Sequence, residues 1–154
     1  MEKIDLSQLF ESQRSGEAEV KKTLRAAAYI VEDVSDNPLY WKKDIDLLVT
    51  NPETGNTAAI EVKNDTRMSK TGNFFIEYAN PRSRGGLGWF EFCEADYLYY
   101  VDSVSETCYI ILFKALKEFI NQNKANLKKR ETADCSKGYI VPIEEMPLYR
   151  VISL

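Results

Sequence analysis

The sequence contains two neighbouring aspartates and, fifteen residues after the second of them, a glutamate followed closely by a lysine. This spacing can support metal chemistry. Asp44 and Asp46 precede one apolar run, and Glu61 and Lys63 lie in the next apolar run. Two carboxylates held close together without a partner repel each other. A hard divalent cation such as Mg²⁺ relieves that repulsion, because it prefers oxygen ligands.

The absence of histidine narrows the chemistry available to the chain. It excludes Ser-His-acid triads, Cys-His pairs and His-ligated zinc. The cysteines, Cys93, Cys108 and Cys135, are odd in number and contain no Cys-x-x-Cys pair, so a thiolate zinc site is not favoured. We expect reduced thiols in a reducing compartment, the cytoplasm. Proton transfers and metal contacts would then come from carboxylates, lysines, hydroxyls or thiols.

A predicted β-hairpin must position the acids. Segments 44–50 and 57–63 have strand character, and the six residues between them contain Pro, Asn and Gly, which favour a turn. Because side chains alternate along a strand, Asp44 and Asp46 share one face, and so do Glu61 and Lys63. The apolar neighbours of these residues would point into the core.

The strand register decides whether the two faces coincide. A loop centred between residues 53 and 54 places Asp46 directly across from Glu61, with β-carbons about 5 Å apart. A one-residue slip, or a bulge formed at Gly55, would separate them. The alternative interpretation is that the acids are exposed strand residues and that Glu61 and Lys63 form an ordinary salt bridge. Four such residues on one hairpin favour a site.

The remaining pattern predicts one domain over residues 1–154, with a core at about 16–113 and a C-terminal helix and strands at about 114–154. A helix over 17–28 follows from apolar residues at helical spacing. Further strands are predicted at 29–34, 73–78, 97–104, 108–113, 139–143 and 148–152, and further helices at 89–95 and around 116–127. This order predicts an α/β fold, bordering on α+β, with a mixed sheet.

The hairpin residues and the element order resemble those of the PD-(D/E)xK nuclease superfamily, which includes restriction endonucleases and Holliday-junction resolvases. The match consists of Asp46, a turn, and Glu61-Val62-Lys63, within a helix-strand-strand-strand-helix-strand core. The sequence departs from the family by lacking a proline just before the aspartate. Asp44 also competes with Asp46 for the role of metal ligand.

The resemblance implies a Mg²⁺-dependent endonuclease that hydrolyses DNA, with Mn²⁺ as a substitute cation. Asp46, Glu61 and the backbone carbonyl of Val62 would hold the cation, and Lys63 would orient water or stabilise charge on the phosphorus. The helix acid of the family would be Glu19 or, less favoured, Glu17. The alternative function is an inactive nuclease-fold module that binds DNA or protein.

Other residues are candidates for supporting roles. Glu77 lies on a predicted strand and is an additional catalytic candidate, with Asp44. Four basic residues, Arg67, Lys70, Arg82 and Arg84, give the segment around them a local positive excess and are candidates for binding DNA, double-stranded or branched. The chain as a whole has a net charge of −4, which argues against binding by bulk attraction. A homodimer would suit branched DNA, and no run is long enough to predict a membrane span.

Overall fold

The structure is a computed structural model that describes the backbone from residue 6 to residue 154 and the side chains from residue 16 onward. The helices are α1 (Leu6–Ala26), α2 (Pro38–Trp41), α3 (Met68–Thr71), α4 (Trp89–Phe92) and α5 (Phe113–Asn123). The strands are β1 (Ile30–Asp33), β2 (Leu47–Thr50), β3 (Thr57–Asp65), β4 (Asn73–Ala79), β5 (Tyr97–Asp102), β6 (Thr107–Leu112), β7 (Lys128–Glu131), β8 (Lys137–Pro142) and β9 (Leu148–Ser153). The predicted mixture of helices with a mixed sheet is confirmed, and the fold is of the α+β kind.

The larger sheet has six strands in the order β1-β2-β3-β5-β6-β9. Strands β3 and β5 pair in parallel, while the other neighbours in this sheet are antiparallel. In the β2–β3 hairpin, Leu47 pairs with Ile60 and Thr50 with Thr57. This is the predicted register for Leu47–Thr50, and Asp46 lies just before it, with its N–H donating to the Ile60 carbonyl.

Helix α1 covers one face of this sheet. Its apolar face, with Val20 and Leu24, packs on side chains of β2, β3, β5 and β6 such as Leu47 and Ile60. A β-carbon on Gly16 would lie 3.1 Å from the β-carbon of Asn64. Glycine at this position lets the helix approach the C-terminal half of β3 closely.

The other face of the larger sheet packs against a three-stranded antiparallel sheet, β4-β8-β7, and against α5. Phe74 of β4, Leu98 of β5 and Leu116 of α5 are fully buried there. The rings of Phe74 and Tyr100 meet edge to face, with centroids 4.8 Å apart. Strands β8 and β9 thus join the C-terminal residues to both sheets.

Two local predictions differ from the structure. The strand expected to begin at Asp44 begins at Leu47, because Asp44 has a φ of +55° and ends a turn that follows α2. The helix predicted around 116–127 ends at Asn123, and strand β7 follows at Lys128–Glu131. Among residues 6–154, no helix is both long and apolar enough to cross a membrane.

Candidate functional site

The predicted acids meet at the end of the larger sheet where β1 ends and β2 begins. The Asp46 backbone N–H donates to the Ile60 carbonyl at 2.9 Å, which fixes Asp46 at the entry to β2. Its carboxylate accepts the Val62 N–H, also at 2.9 Å, and lies within hydrogen-bonding distance of the Glu61 carboxyl group. The hairpin register therefore brings the two acids together.

Lys63 joins three parts of the chain in this cluster. Its ammonium group lies 2.6 Å from Glu61 Oε1 and 3.4 Å from Asp44 Oδ2. It also lies 5.1 Å from the centre of the Trp89 ring, within range of a cation-π contact. Because Glu61 is only 3% exposed, this ion pair is screened little by solvent.

Asp44 reaches Lys63 from a turn rather than from a strand. Asn37 caps α2 by accepting the Leu39 N–H at 3.0 Å, and Pro38 begins the helix. The Cys93 thiol donates to the Asp44 carbonyl at 3.5 Å, which holds the end of this turn against the segment after α4. The left-handed backbone of Asp44 thus points its carboxylate at the lysine.

Burial and crowding raise the pKa values of the acids. Loss of solvent is the largest cause for both Asp46 and Glu61, and the pKa of Glu61 is raised well above its ordinary value. Mutual repulsion with Asp44 and Asp46 adds to the effect on Glu61, whereas Lys63 opposes it. Burial lowers the pKa of Lys63, but its pairing with Glu61 and Asp44 outweighs this and raises it. One lysine therefore faces an excess of carboxylates.

Two carboxylate oxygens in the cluster have no hydrogen-bond partner among the described residues. Glu61 Oε1 pairs with Lys63, but Glu61 Oε2 is buried and unpartnered. Asp44 Oδ2 also accepts no hydrogen bond in the described part of the chain, although Lys63 lies near it. An unpaired oxygen of a buried carboxylate is costly, and a bound cation would remove that cost.

The structure places the two candidate helix acids in different surroundings. Glu19, the favoured candidate, is exposed on α1. Glu17 is partly buried near the cluster, and its pKa is raised from about 4.5 to about 7 by burial and then by Asp46 and Asp33. The helical phase explains the difference, since residues 17, 20 and 24 share one face of a helix and residue 19 does not. The apolar residues Val20 and Leu24 mark the buried face of the helix in the sequence, so the helical phase could have predicted that Glu17, and not Glu19, lies on that face.

A divalent cation at the cluster would have few side-chain ligands. The N–H and C=O groups of a strand residue point to the same side, so the Val62 carbonyl faces the same side as the Val62 N–H that binds Asp46. Asp46, Glu61 Oε2 and this carbonyl are the available oxygens. In the described residues, no group of three or more acidic or cysteine side chains could hold a metal by itself. A cation here would thus need the backbone carbonyl and water, as Mg²⁺ commonly accepts.

The other candidates lie outside the cluster. Glu77 is on β4 of the smaller sheet, where the Asn80 amide donates to its carboxylate at 3.4 Å. Arg67 and Lys70 are exposed beyond the end of β3, around α3. Arg82 pairs with Asp134 in the turn before β8. Arg84 is exposed, and its guanidinium group donates to the Lys42 carbonyl at 3.2 Å, which places it next to the α2 turn.

No family model matches the chain, and no curated protein matches it. A solved structure of a bacterial homing endonuclease, I-Ssp6803I, is similar in fold with a TM-score of 0.47 and 18% sequence identity. The similarity covers 67% of this chain and 64% of that chain, so the present chain spans less than two thirds of that protein.

Proposed function

We propose that the protein is a metal-dependent nuclease of the PD-(D/E)xK type that hydrolyses phosphodiester bonds in DNA. The observation that carries the proposal is the cluster of Asp46, Glu61 and Lys63 on one hairpin, with a buried oxygen of Glu61 left unpartnered. Raised acid pKa values beside one lysine further support a place for positive charge.

Asp46, Glu61 and the Val62 carbonyl are the residues that would hold Mg²⁺, or Mn²⁺ in its place. Such a cation, when bound, polarises a phosphodiester oxygen and lowers the pKa of its bound water. Lys63 would donate to a phosphate oxygen or orient the attacking water, since its ammonium group is already held between Glu61 and Asp44. Glu17 is the helix acid best placed to hold a second water beside Asp46.

The substrate contacts would come from the basic side chains around this end of the sheet. Arg84 lies against the α2 turn that leads into the cluster. Arg67, Lys70 and Arg82 would contact the DNA backbone further away, whether the substrate is double-stranded or branched. Such contacts position a strand without reading its sequence.

The test is cleavage of plasmid, single-stranded and branched DNA with Mg²⁺ or Mn²⁺. We expect cleavage by the wild type, at least a hundredfold loss with Glu61→Gln, and no loss with Glu118→Gln, an exposed acid on α5. Calorimetric titration of Mn²⁺ provides a readout independent of activity. Heat of binding that is unchanged in Glu61→Gln would exclude this site as the metal centre.

The second candidate is a nuclease-fold module that binds DNA without cutting it. The ion pair of 2.6 Å between Lys63 and Glu61 favours it, because a closed pair neutralises one carboxylate without a metal. Salt-sensitive DNA binding that survives Glu61→Gln, together with no cleavage and no Mn²⁺ binding by the wild type, would identify the protein as such a module.

A further inference from the structure

An exposed aromatic side chain lies on the short helix that leads into the carboxylate cluster, and none of the roles above uses it. Trp41 of α2 is 48% exposed, and its neighbour Leu39 is 73% exposed. The sequence has one other tryptophan, Trp89, which is 9% exposed and covers Lys63. Covering such a ring with a ligand would remove apolar surface from water, which is favourable.

The turn that carries Trp41 is held in place on several sides. The Trp41 N–H donates to the Asn37 carbonyl at 2.9 Å, inside the capped turn of α2. The Glu94 N–H donates to the Lys43 carbonyl at 2.9 Å, and Arg84 donates to the Lys42 carbonyl at 3.2 Å. The ring is therefore presented by an ordered turn, which lowers the entropy lost on binding.

Trp41 is also close to the proposed reaction centre along the chain. Its carbonyl accepts the Asp44 N–H at 3.1 Å, and the Asp44 carboxylate lies 3.4 Å from the Lys63 ammonium group. One turn of backbone thus connects the exposed ring to the cluster.

The charges around Trp41 indicate what kind of ligand fits. Lys42 and Lys43 follow it directly and are exposed, and the exposed Arg84 lies against the same turn. The contact of 3.9 Å between Lys43 and Glu94 is weak, because both side chains are more than half exposed. An exposed aromatic ring on a turn that also carries exposed cations suits a nucleic-acid strand, whose bases stack while its phosphates meet the charges. A purely apolar ligand would leave those charges uncompensated.

We infer that Trp41 is a stacking platform for an unpaired base, and that the protein acts on DNA that has an unpaired nucleotide next to the cleaved phosphate. This inference rests on the proposed function. Bases inside a duplex are stacked on one another, so a free base face exists only in a single strand, a flap or a branch. The substrate class is then single-stranded or branched DNA rather than intact duplex.

The test is binding of single-stranded and duplex oligonucleotides in EDTA, where no cleavage occurs, followed by tryptophan fluorescence. We expect single-stranded DNA to quench the tryptophan emission of the wild type and to leave the emission of Trp41→Leu, which comes from Trp89, unchanged. The same substitution should weaken single-strand binding about tenfold, the usual effect of removing one stacked ring, and duplex binding less than twofold. Tyr149→Ala, which removes a 66% exposed aromatic ring on β9, should change neither affinity.

Each outcome separates this inference from the proposed function. Trp41-dependent binding of single strands without any cleavage would support the inference and contradict the proposed nuclease activity. Cleavage that depends on Glu61 but not on Trp41, or a loss that is equal for duplex and single strand, would overturn the inference alone. Absence of DNA binding in EDTA would also overturn it. Thermal unfolding of Trp41→Leu, expected to match the wild type, guards against a folding defect.

Discussion

At the scale of single residues, the cluster contains more carboxylates than cations. Asp44, Asp46 and Glu61 surround Lys63, and each carboxylate is at least partly withdrawn from water. Burial raises the pKa values of Asp46 and Glu61. Sites where burial and like charges shift pKa values together are more often functional than structural.

Glu17 allows a test of this charge excess through stability. The pKa of Glu17 is about 7 in the folded protein, compared with about 4.5 for a glutamate in the unfolded chain. The folded state therefore binds the proton more tightly. Stability linked to Glu17 should therefore fall as the pH rises from about 4.5 to about 7 and stay lower above that range. Glu17→Gln should raise the free energy of unfolding at pH 8 by roughly 1 kcal/mol, since partial exposure reduces the effect.

The measurement is urea unfolding of the wild type and the variant at pH 8 and pH 4.5. The stabilisation should be present at pH 8 and absent at pH 4.5, where Glu17 is protonated in the folded state. Glu19→Gln, on the exposed face of the same helix, should leave stability unchanged at both values. If Glu17→Gln raised the free energy of unfolding equally at both pH values, the charge of Glu17 would not be the cause of the stabilisation.

At the scale of elements, the cluster depends on the hairpin and on two segments that close over it. The β2–β3 register brings Asp46 to Glu61, and the α2 turn adds Asp44. Helix α4 adds Trp89. The start of α4 is fixed at Gly88, whose N–H donates to the Tyr78 carbonyl at 3.0 Å.

Gly88→Ala tests whether the close packing of α4 on β4 positions Trp89. A β-carbon at residue 88 would lie 2.3 Å from the Glu77 carbonyl oxygen, so α4 must move away from the strand. We expect a loss of about 1–3 kcal/mol in the free energy of unfolding and a red shift of Trp89 emission as the ring meets water. Unfolding and fluorescence of Leu87→Ala, an exposed neighbour, provide the control. If Gly88→Ala kept the emission and stability of the wild type, the close approach of residue 88 to Glu77 would not be what positions Trp89.

At the scale of the whole molecule, the negative net charge hides an uneven distribution. The chain carries −4 overall, but several acids are gathered in the buried cluster. The basic side chains Lys42, Lys43 and Arg84 are exposed next to it. Under the proposed function, DNA would approach the molecule at this end of the larger sheet.

The salt dependence of DNA binding tests this distribution. Removing one phosphate contact lowers the slope of log affinity against log salt by about 1. We expect that decrease for Arg84→Gln and none for Lys124→Gln, which removes a charge at the end of α5. Equal slopes for the two variants, both lower than that of the wild type, would indicate diffuse attraction. Sedimentation velocity would test the predicted homodimer separately.

The sequence by itself predicted the hairpin and the side chains on each of its faces. It left the register between alternatives, and the structure shows which one forms. The hairpin and its faces follow from local patterns, because the turn composition and the alternation of side chains lie within about twenty residues. The α+β class was predictable for the same reason.

Only the tertiary structure decided which distant groups join the cluster. Trp89 reaches Lys63 from a different element, and a left-handed residue, Asp44, reaches it from a turn rather than from the expected strand. The selection of Glu17 over Glu19 depends on which face of α1 packs on the sheet. Such contacts join residues far apart in the chain, so packing across the sheet sets them, and local propensity does not encode that packing.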